Sequence, residues 1–179
     1  DLPVIITICT NNYGPYQFPE KLIPHTILNG ISGKKIPVYG DGSQIRNWLY
    51  VEDHVKALIK IIMDPKIGET YNISGFGKIH NIDVVKKICI LLEEFLPNKP
   101  KGVINFQDLI TFVRDRPGHD EEYSLNTSIR LKNCGWEPKE TFDVYQQSKV
   151  KPFVNLKTGK PNNFTMVDSL EMAINYVRE

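Results

Sequence analysis

The period at which apolar residues recur changes several times along the chain, and each change marks an element. "VIITI", Val4 to Ile8, is continuous and β-branched, which predicts a short strand buried on both faces and therefore part of a parallel sheet. "PHTILNGISGKK" predicts a helix with Pro24 in its first turn and Gly30 and Gly33 as stop signals. "IPVYGDGSQ" predicts a short strand closed by an Asp-Gly turn. Val51, Val55, Leu58, Ile59 and Ile62 follow the helical period up to "DPKIG". "ETYNIS" predicts another strand. "NIDVVKKICILLEEFLP" repeats the helical pattern at Val85, Ile88, Cys89, Leu92 and Phe95, with Asn81 placed to cap it. "LITFV", 109–113, predicts a further strand, "TSIRLKN" a short helix and "DSLEMAINYVRE" a final amphipathic helix. Strands alternating with helices define an α/β protein. The lysine-rich stretch 143–163 has no such period and reads as an inserted loop.

The chain has 179 residues, enough for one domain with a substantial core. Only three residues precede Val4. A buried parallel strand needs neighbours, so the expectation is a chain that begins in the middle of a fold. No stretch approaches the roughly 18 apolar residues of a membrane span. The net charge of +1, with lysines and arginines scattered, provides no footprint for nucleic acid. Any anionic ligand must therefore be met by local charges. Cys9, Cys89 and Cys134 are odd in number and far apart, a pattern of free thiols that fits a reducing cytoplasm.

Several side chains suit a phosphorylated, hydroxyl-rich ligand. Lys21 in "PEKLIP" and Arg46 in "GSQIRNWLY" offer ammonium and guanidinium donors to a pyrophosphate; the alternative for each is a solvated surface charge. In "VRDRPGHD", Arg114, Arg116 and His119 flank a rigid Pro-Gly turn and suit an anion, or form an ordinary charged turn. Tyr39 offers a ring for stacking on a base, or packs at a strand end. Asn11, Asn12 and Asn81 carry donors and acceptors for sugar hydroxyls, against turn or capping roles.

Other patterns do not hold up. Gly40-Asp-Gly42 and Gly75-Phe-Gly77 lack the third glycine of a dinucleotide fingerprint. Tyr145 and Lys149 have the Tyr-x-x-x-Lys spacing, but no helical periodicity surrounds them and the match is read as chance. His25, His54, His80 and His119 form no zinc-ligand spacing. Glu52 and Asp53 fit the first turn of a helix without any catalytic role.

Taken in order, "NNYGPYQFPEKLIP", "IPVYGDGSQIRNWLYVEDHVKAL", "GETYNISG", "NIDVV", "DRPGHD" and "GWEPKETF" closely resemble the C-terminal half of the dTDP-glucose 4,6-dehydratases. These are extended short-chain dehydrogenase/reductases, lyases with a Rossmann-like fold. The resemblance covers about residues 2–142 and resumes over the last helix. It implies a fold truncated before its glycine-rich NAD-binding half, with strand 4–8 and strand/helix 47–63 as the last Rossmann elements interleaved in a substrate-binding portion. In the family, NAD takes a hydride from C4 of the glucosyl unit, water leaves across C5 and C6, and the hydride returns to C6. The product is a 4-keto-6-deoxy sugar nucleotide.

By resemblance, Asn11 contacts substrate and Asn12 lies at the NAD site. Lys21 and Leu22 contact the nucleotide sugar, Pro37, Val38 and Tyr39 bracket the base, and Arg46 binds the diphosphate. Asn81 with Asp115, Arg116, Pro117, Gly118 and His119 completes the pocket. Asn47 stands where the family commonly has Asp. The family's catalytic residues lie upstream of the matching region, so none is assigned here and the chain is expected to be inactive alone. The family's full-length enzymes are homodimers. The alternatives are a stand-alone binding module for sugar nucleotides and a related UDP-sugar dehydratase, epimerase or decarboxylase. The strand "VIITI", short of partners, is expected to leave apolar surface and an open edge.

Overall fold

The structure is a computed structural model that describes residues 2–14, 17–96 and 98–142. The expected loop at 143–163, the Tyr145/Lys149 pair and the last helix lie outside the described residues. The described chain forms two compact units that alternate along the sequence: one holds 2–13, 45–79 and 121–142, the other 14–44 and 80–120.

In the first unit three strand pairs are parallel, as expected of an α/β protein. Strand β1 (Ile6–Cys9) pairs with β6 (Thr70–Ile73), Ile6 opposite Thr70 and Cys9 opposite Ile73. Strand β2 (Asn11–Tyr13) pairs with β5 (Trp48–Tyr50), Asn11 opposite Trp48. Strand β4 (Ile45–Arg46) pairs with β9 (Glu122–Tyr123). Helix α2 (Val51–Met63) follows β5 directly, and the short helix α4 (Ile129–Asn133) follows β9. The core of this unit joins Leu49, Ala57, Ile61, Tyr71, Ile73, Leu131 and Trp136.

Two expectations fail in this unit, for one physical reason. Strand β1 is not buried on both faces: Ile6 and Ile8 are 53% and 40% exposed, and only Ile5 and Cys9 pack partly against the core. In α2 the predicted stripe is turned outward at Val55, Ile59 and Ile62, while Asp53, Ala57 and Ile61 face inward. The helix is apolar on two faces, and periodicity cannot say which face packs. Among the described residues nothing covers the other face.

The second unit packs helix α1 (Leu22–Ile31) against α3 (Asn81–Phe95), with β3 (Ile36–Tyr39) parallel to β8 (Ile110–Val113) and a 3-10 turn at Phe106–Leu109. Strand β7 (Ile79–His80) lies at the junction of the two sequence segments. Val85, Ile88, Cys89 and Leu92 are buried, as the spacing predicts. Gly30 does not stop α1; it lies within it, because the helix approaches α3 so closely that a Cβ there would stand 2.4 Å from Leu92 Cδ1. The stop is at Gly33, which adopts a φ of +64° at little cost for a residue without Cβ. Asn81 does not cap α3 either. It is the first helical residue after His80, and its side chain makes no capping bond.

Candidate functional site

The loop after β1 is tied down before it can present anything. Thr10 N–H donates to Ile73 O at 3.1 Å, and the Tyr123 hydroxyl donates to Cys9 O at 3.1 Å. Asn11 and Asn12 sit in β2, just past the C-terminal end of the parallel strand β1, the end at which open α/β sheets place their ligands. The Asn12 carboxamide is oriented from three sides. Its Nδ2 donates to Thr10 O at 3.2 Å and to Cys9 Sγ at 3.4 Å, and His54 Nδ1 lies 2.9 Å from its Oδ1. Burial lowers the pKa of His54 below its ordinary value, so the neutral ring donates Nδ1–H to Asn12. Sequence reading found His54 isolated; with 42 positions between the partners, spacing carries no signal.

Arg46 is 7% exposed, so a solvated surface charge is excluded. The residue is paired in β4 opposite Tyr123, and its guanidinium donates to Ile45 O at 2.7 Å. Asn47, also buried, donates its Nδ2 to Gly77 O, leaving its Oδ1 without a partner among the described residues. Tyr13 packs edge-on against Trp48 and Phe142. Burial, then the charges of Glu140 and Asp53, raise the pKa of its phenol. That direction is opposite to what a catalytic base needs, so Tyr13 is a packing residue.

Asp53 is the anchor of the "GWEPKE" segment. Its buried Oδ2 accepts from the backbone N–H of Lys139 at 2.7 Å and of Glu140 at 2.9 Å, and its own carbonyl accepts from Trp136 Nε1 at 3.1 Å. Its part is structural, although it does more than complement a helix dipole.

In the second unit the structure gathers Tyr39, Asp115 and His119. Strand β3 places Pro37 opposite Thr111, Val38 opposite Phe112 and Tyr39 opposite Val113, so the "RPGH" turn leaves β8 beside the end of β3. Val38 is buried; the Tyr39 ring is half exposed, with the His119 ring edge-on at 6.2 Å. Strand-end packing in the core is thus not its role. Asp115 accepts from Arg116 N–H at 2.8 Å, and its Oδ1 lies 2.7 Å from His119 Nδ1. The hydrogen bond from His119 is the largest cause holding the Asp115 carboxyl below the usual range. Gly118 turns the chain at a φ of +70°, while Arg114 and Arg116 are exposed.

Gln44 joins this cluster and was not singled out by sequence. Its Nε2 donates to Asp115 Oδ2 at 2.7 Å and lies 3.4 Å from Tyr39 O. Lys21 stands at the start of α1, largely exposed, with its ammonium 3.2 Å from the Glu20 carboxylate; Leu22 opens the helix. No group of three or more potential metal ligands occurs among the described residues, and no described helix is long and apolar enough to cross a membrane.

The family model described as GDP-mannose 4,6 dehydratase matches residues 1–148. The dTDP-glucose 4,6-dehydratase of Neisseria gonorrhoeae is 53% identical over 161 residues, 90% of this chain and 46% of that protein. Among solved structures, the dTDP-glucose 4,6-dehydratase of Bacillus anthracis in complex with NAD is 46% identical with a TM-score of 0.67, over 79% of this chain and 41% of that one. The Streptomyces venezuelae dTDP-glucose 4,6-dehydratase, solved with NAD bound, is 36% identical with a TM-score of 0.67, over 79% and 40%. The chain spans less than half the length of these relatives. Parallel strand pairing, the ordered motifs and these likenesses agree, and the chain belongs to the GDP-mannose 4,6 dehydratase family, with the Rossmann-like fold of the extended short-chain dehydrogenase/reductases.

Proposed function

We propose that this chain supplies the sugar-nucleotide recognition of an NAD-dependent dTDP-glucose 4,6-dehydratase. The net reaction converts dTDP-glucose to dTDP-4-keto-6-deoxyglucose and water, a hydride leaving C4 and returning to C6. The observation that carries the reading is 53% identity to a dTDP-glucose 4,6-dehydratase across 90% of the chain. It is supported by a cation withdrawn from water at Arg46, a half-exposed aromatic at Tyr39 and a fixed carboxamide at Asn12.

In this reading Arg46 meets the diphosphate, where desolvation strengthens its guanidinium, and Lys21 contacts the nucleotide sugar. Pro37, Val38 and Tyr39 bracket the base. Asn11, Leu22 and Asn81, with 115–119, hold the sugar and its nucleotide. Asn12 fits NAD because His54, Cys9 and Thr10 fix its carboxamide at the C-terminal end of β1. When bound, NAD supplies the hydride acceptor. The residues here bind and orient; no acid/base pair for the C5 proton and C6 hydroxyl is assigned to them, so the 179 residues alone do not turn over.

The test is to incubate the chain with NAD and dTDP-glucose and to titrate dTDP-glucose and UDP-glucose separately. The expected result is no 4-keto sugar above the protein-free background, with binding weaker than micromolar that favours dTDP-glucose. Turnover by the chain overturns its assignment as recognition alone. Equal or better binding of UDP-glucose favours a UDP-sugar enzyme, and tight dTDP binding favours a stand-alone module, since a preorganised site loses less on binding.

A further inference from the structure

Gln44 is 6% exposed, and its carboxamide has a fixed orientation. Both neighbours of its Nε2, the Asp115 carboxylate at 2.7 Å and the Tyr39 carbonyl at 3.4 Å, are acceptors. Only the amide nitrogen can face them. The oxygen Oε1 is therefore directed elsewhere, buried and without a partner among the described residues. A second such oxygen belongs to Asn81, whose backbone is hydrogen-bonded to that of Gln44. Asn81 N–H donates to Gln44 O at 2.9 Å, and Asn81 Oδ1 is also buried with no partner among the described residues. Ile82 N–H donates to Gly42 O at 3.0 Å, so the turn before Gln44 and the start of α3 are pinned together. A Cβ on Gly42 would stand 2.7 Å from Ile82 Cβ and 2.8 Å from Val38 Cγ1, so this junction has no room to rearrange. Buried polar atoms in native proteins nearly always have partners. Each of these two carbonyl-type oxygens lacks a donor among the described residues, which a ligand hydroxyl or N–H can supply.

We propose that Gln44 is a ligand-contacting residue whose Oε1, with Asn81 Oδ1, accepts a hydrogen bond from a hydroxyl or ring N–H of the bound nucleoside diphosphate sugar. Asp115 and Tyr39 then act as positioning groups, holding the amide so that its oxygen and not its nitrogen meets the ligand. This deepens the function proposed above and rests on it. It also adds to the recognition set a residue that sequence reading passed over.

The experiment compares the full chain with its Gln44→Met variant in NMR titrations, which read weak binding. The ligands are dTDP-glucose, dTDP, dTDP methylated at base N3, and inorganic pyrophosphate, which has neither sugar nor base. The expected result is a loss of about tenfold for at least one donor-bearing ligand and no loss for pyrophosphate. A loss for dTDP-glucose but not dTDP assigns the donor to the hexose. A loss for dTDP that N3-methylation abolishes assigns it to the base, and one that survives methylation assigns it to the deoxyribose.

Unchanged affinity for all four ligands, or an equal loss that includes pyrophosphate, overturns the proposal while leaving the recognition function standing. A parent chain that binds none of the nucleotides overturns both. Should Gln44→Met fail to fold, the Gln44 side-chain NH2 resonances of the parent chain decide: shifts with dTDP-glucose or dTDP and none with pyrophosphate support the proposal, and no shift with any nucleotide overturns it.

Discussion

Replacing Asp53 by Ala tests how the "GWEPKE" segment is held. The carboxylate is 1% exposed and its Oδ2 accepts two backbone hydrogen bonds, from Lys139 and Glu140, at 2.7 and 2.9 Å. Bonds to an ionised acceptor contribute about 1.5 to 3 kcal/mol each. Lys139 is exposed, so its released N–H regains water and the low end of that range applies. Two bonds at about 1.5 kcal/mol give a loss of about 3 kcal/mol. That is a large part of a marginal stability, and corresponds to about 6 to 12 °C in Tm for a chain of this size. The bond from Trp136 Nε1 goes to the Asp53 carbonyl and survives, so the segment loosens at 139–140 first. Chemical denaturation of Asp53→Ala and of Asp53→Asn, with amide hydrogen exchange, reads both effects. Asp53→Asn keeps an acceptor and should lose less than half as much. A loss in Asp53→Ala below about 1 kcal/mol, with unchanged exchange at Lys139 and Glu140, would refute the reasoning.

Gly75→Ala should cost about 3 kcal/mol or more, because the new Cβ would fall 1.8 Å from Trp48 O, a backbone atom with no rotamer to escape into; a melt within a degree or two of the parent contradicts this. Burial lowers His54 in the folded state from its ordinary 6.5, so its contribution is fully present above that pH and is lost as pH falls through the lower folded-state value. Denaturation at about pH 8 and about pH 5.5 should therefore show an acid-side loss that shrinks in His54→Asn; an identical pH dependence in both proteins speaks against it. Burial pushes the Cys89 thiol up to about 12, whereas Cys134 is exposed. Iodoacetamide at neutral pH should label Cys134 first and reach Cys89 only on unfolding, and rapid labelling of Cys89 in the native chain would disprove its placement.

The elements with one unambiguous period were legible in the sequence. Helix α3 buries Val85, Ile88, Cys89 and Leu92 as its spacing requires, and "LITFV" and "ETYNIS" are strands. Helix α2 was legible as a helix but not in its orientation, because Val55 and Ile59 on one face and Ala57 and Ile61 on the other are all apolar. Strand β1 was legible as parallel but not in its burial, since a β-branched run records what a strand tolerates and not what covers it. Gly30 shows the same limit: its close approach to Leu92 is made across 62 positions of sequence. Within the site, Asp115 and His119 are four apart and visible in one motif. The pairs His54 with Asn12 and Gln44 with Asp115 are made by the fold alone. Leu22, Pro37 and Val38 were assigned by resemblance alone, because an apolar side chain carries no chemistry that marks a binding role.

The exposed Ile6, Ile8, Ile59 and Ile62 make self-association a practical matter in any solution study, so binding is best read residue by residue at low concentration. The most direct test of the central claim is therefore an amide NMR titration of the 15N-labelled chain with dTDP-glucose. The account predicts saturable shifts concentrated at Asn11, Leu22, Val38, Tyr39, Arg46, Asn81 and the 115–119 turn, with little change along α4. Shifts confined to residues outside that set, or none at ligand concentrations well beyond those that saturate related weak complexes, would contradict it.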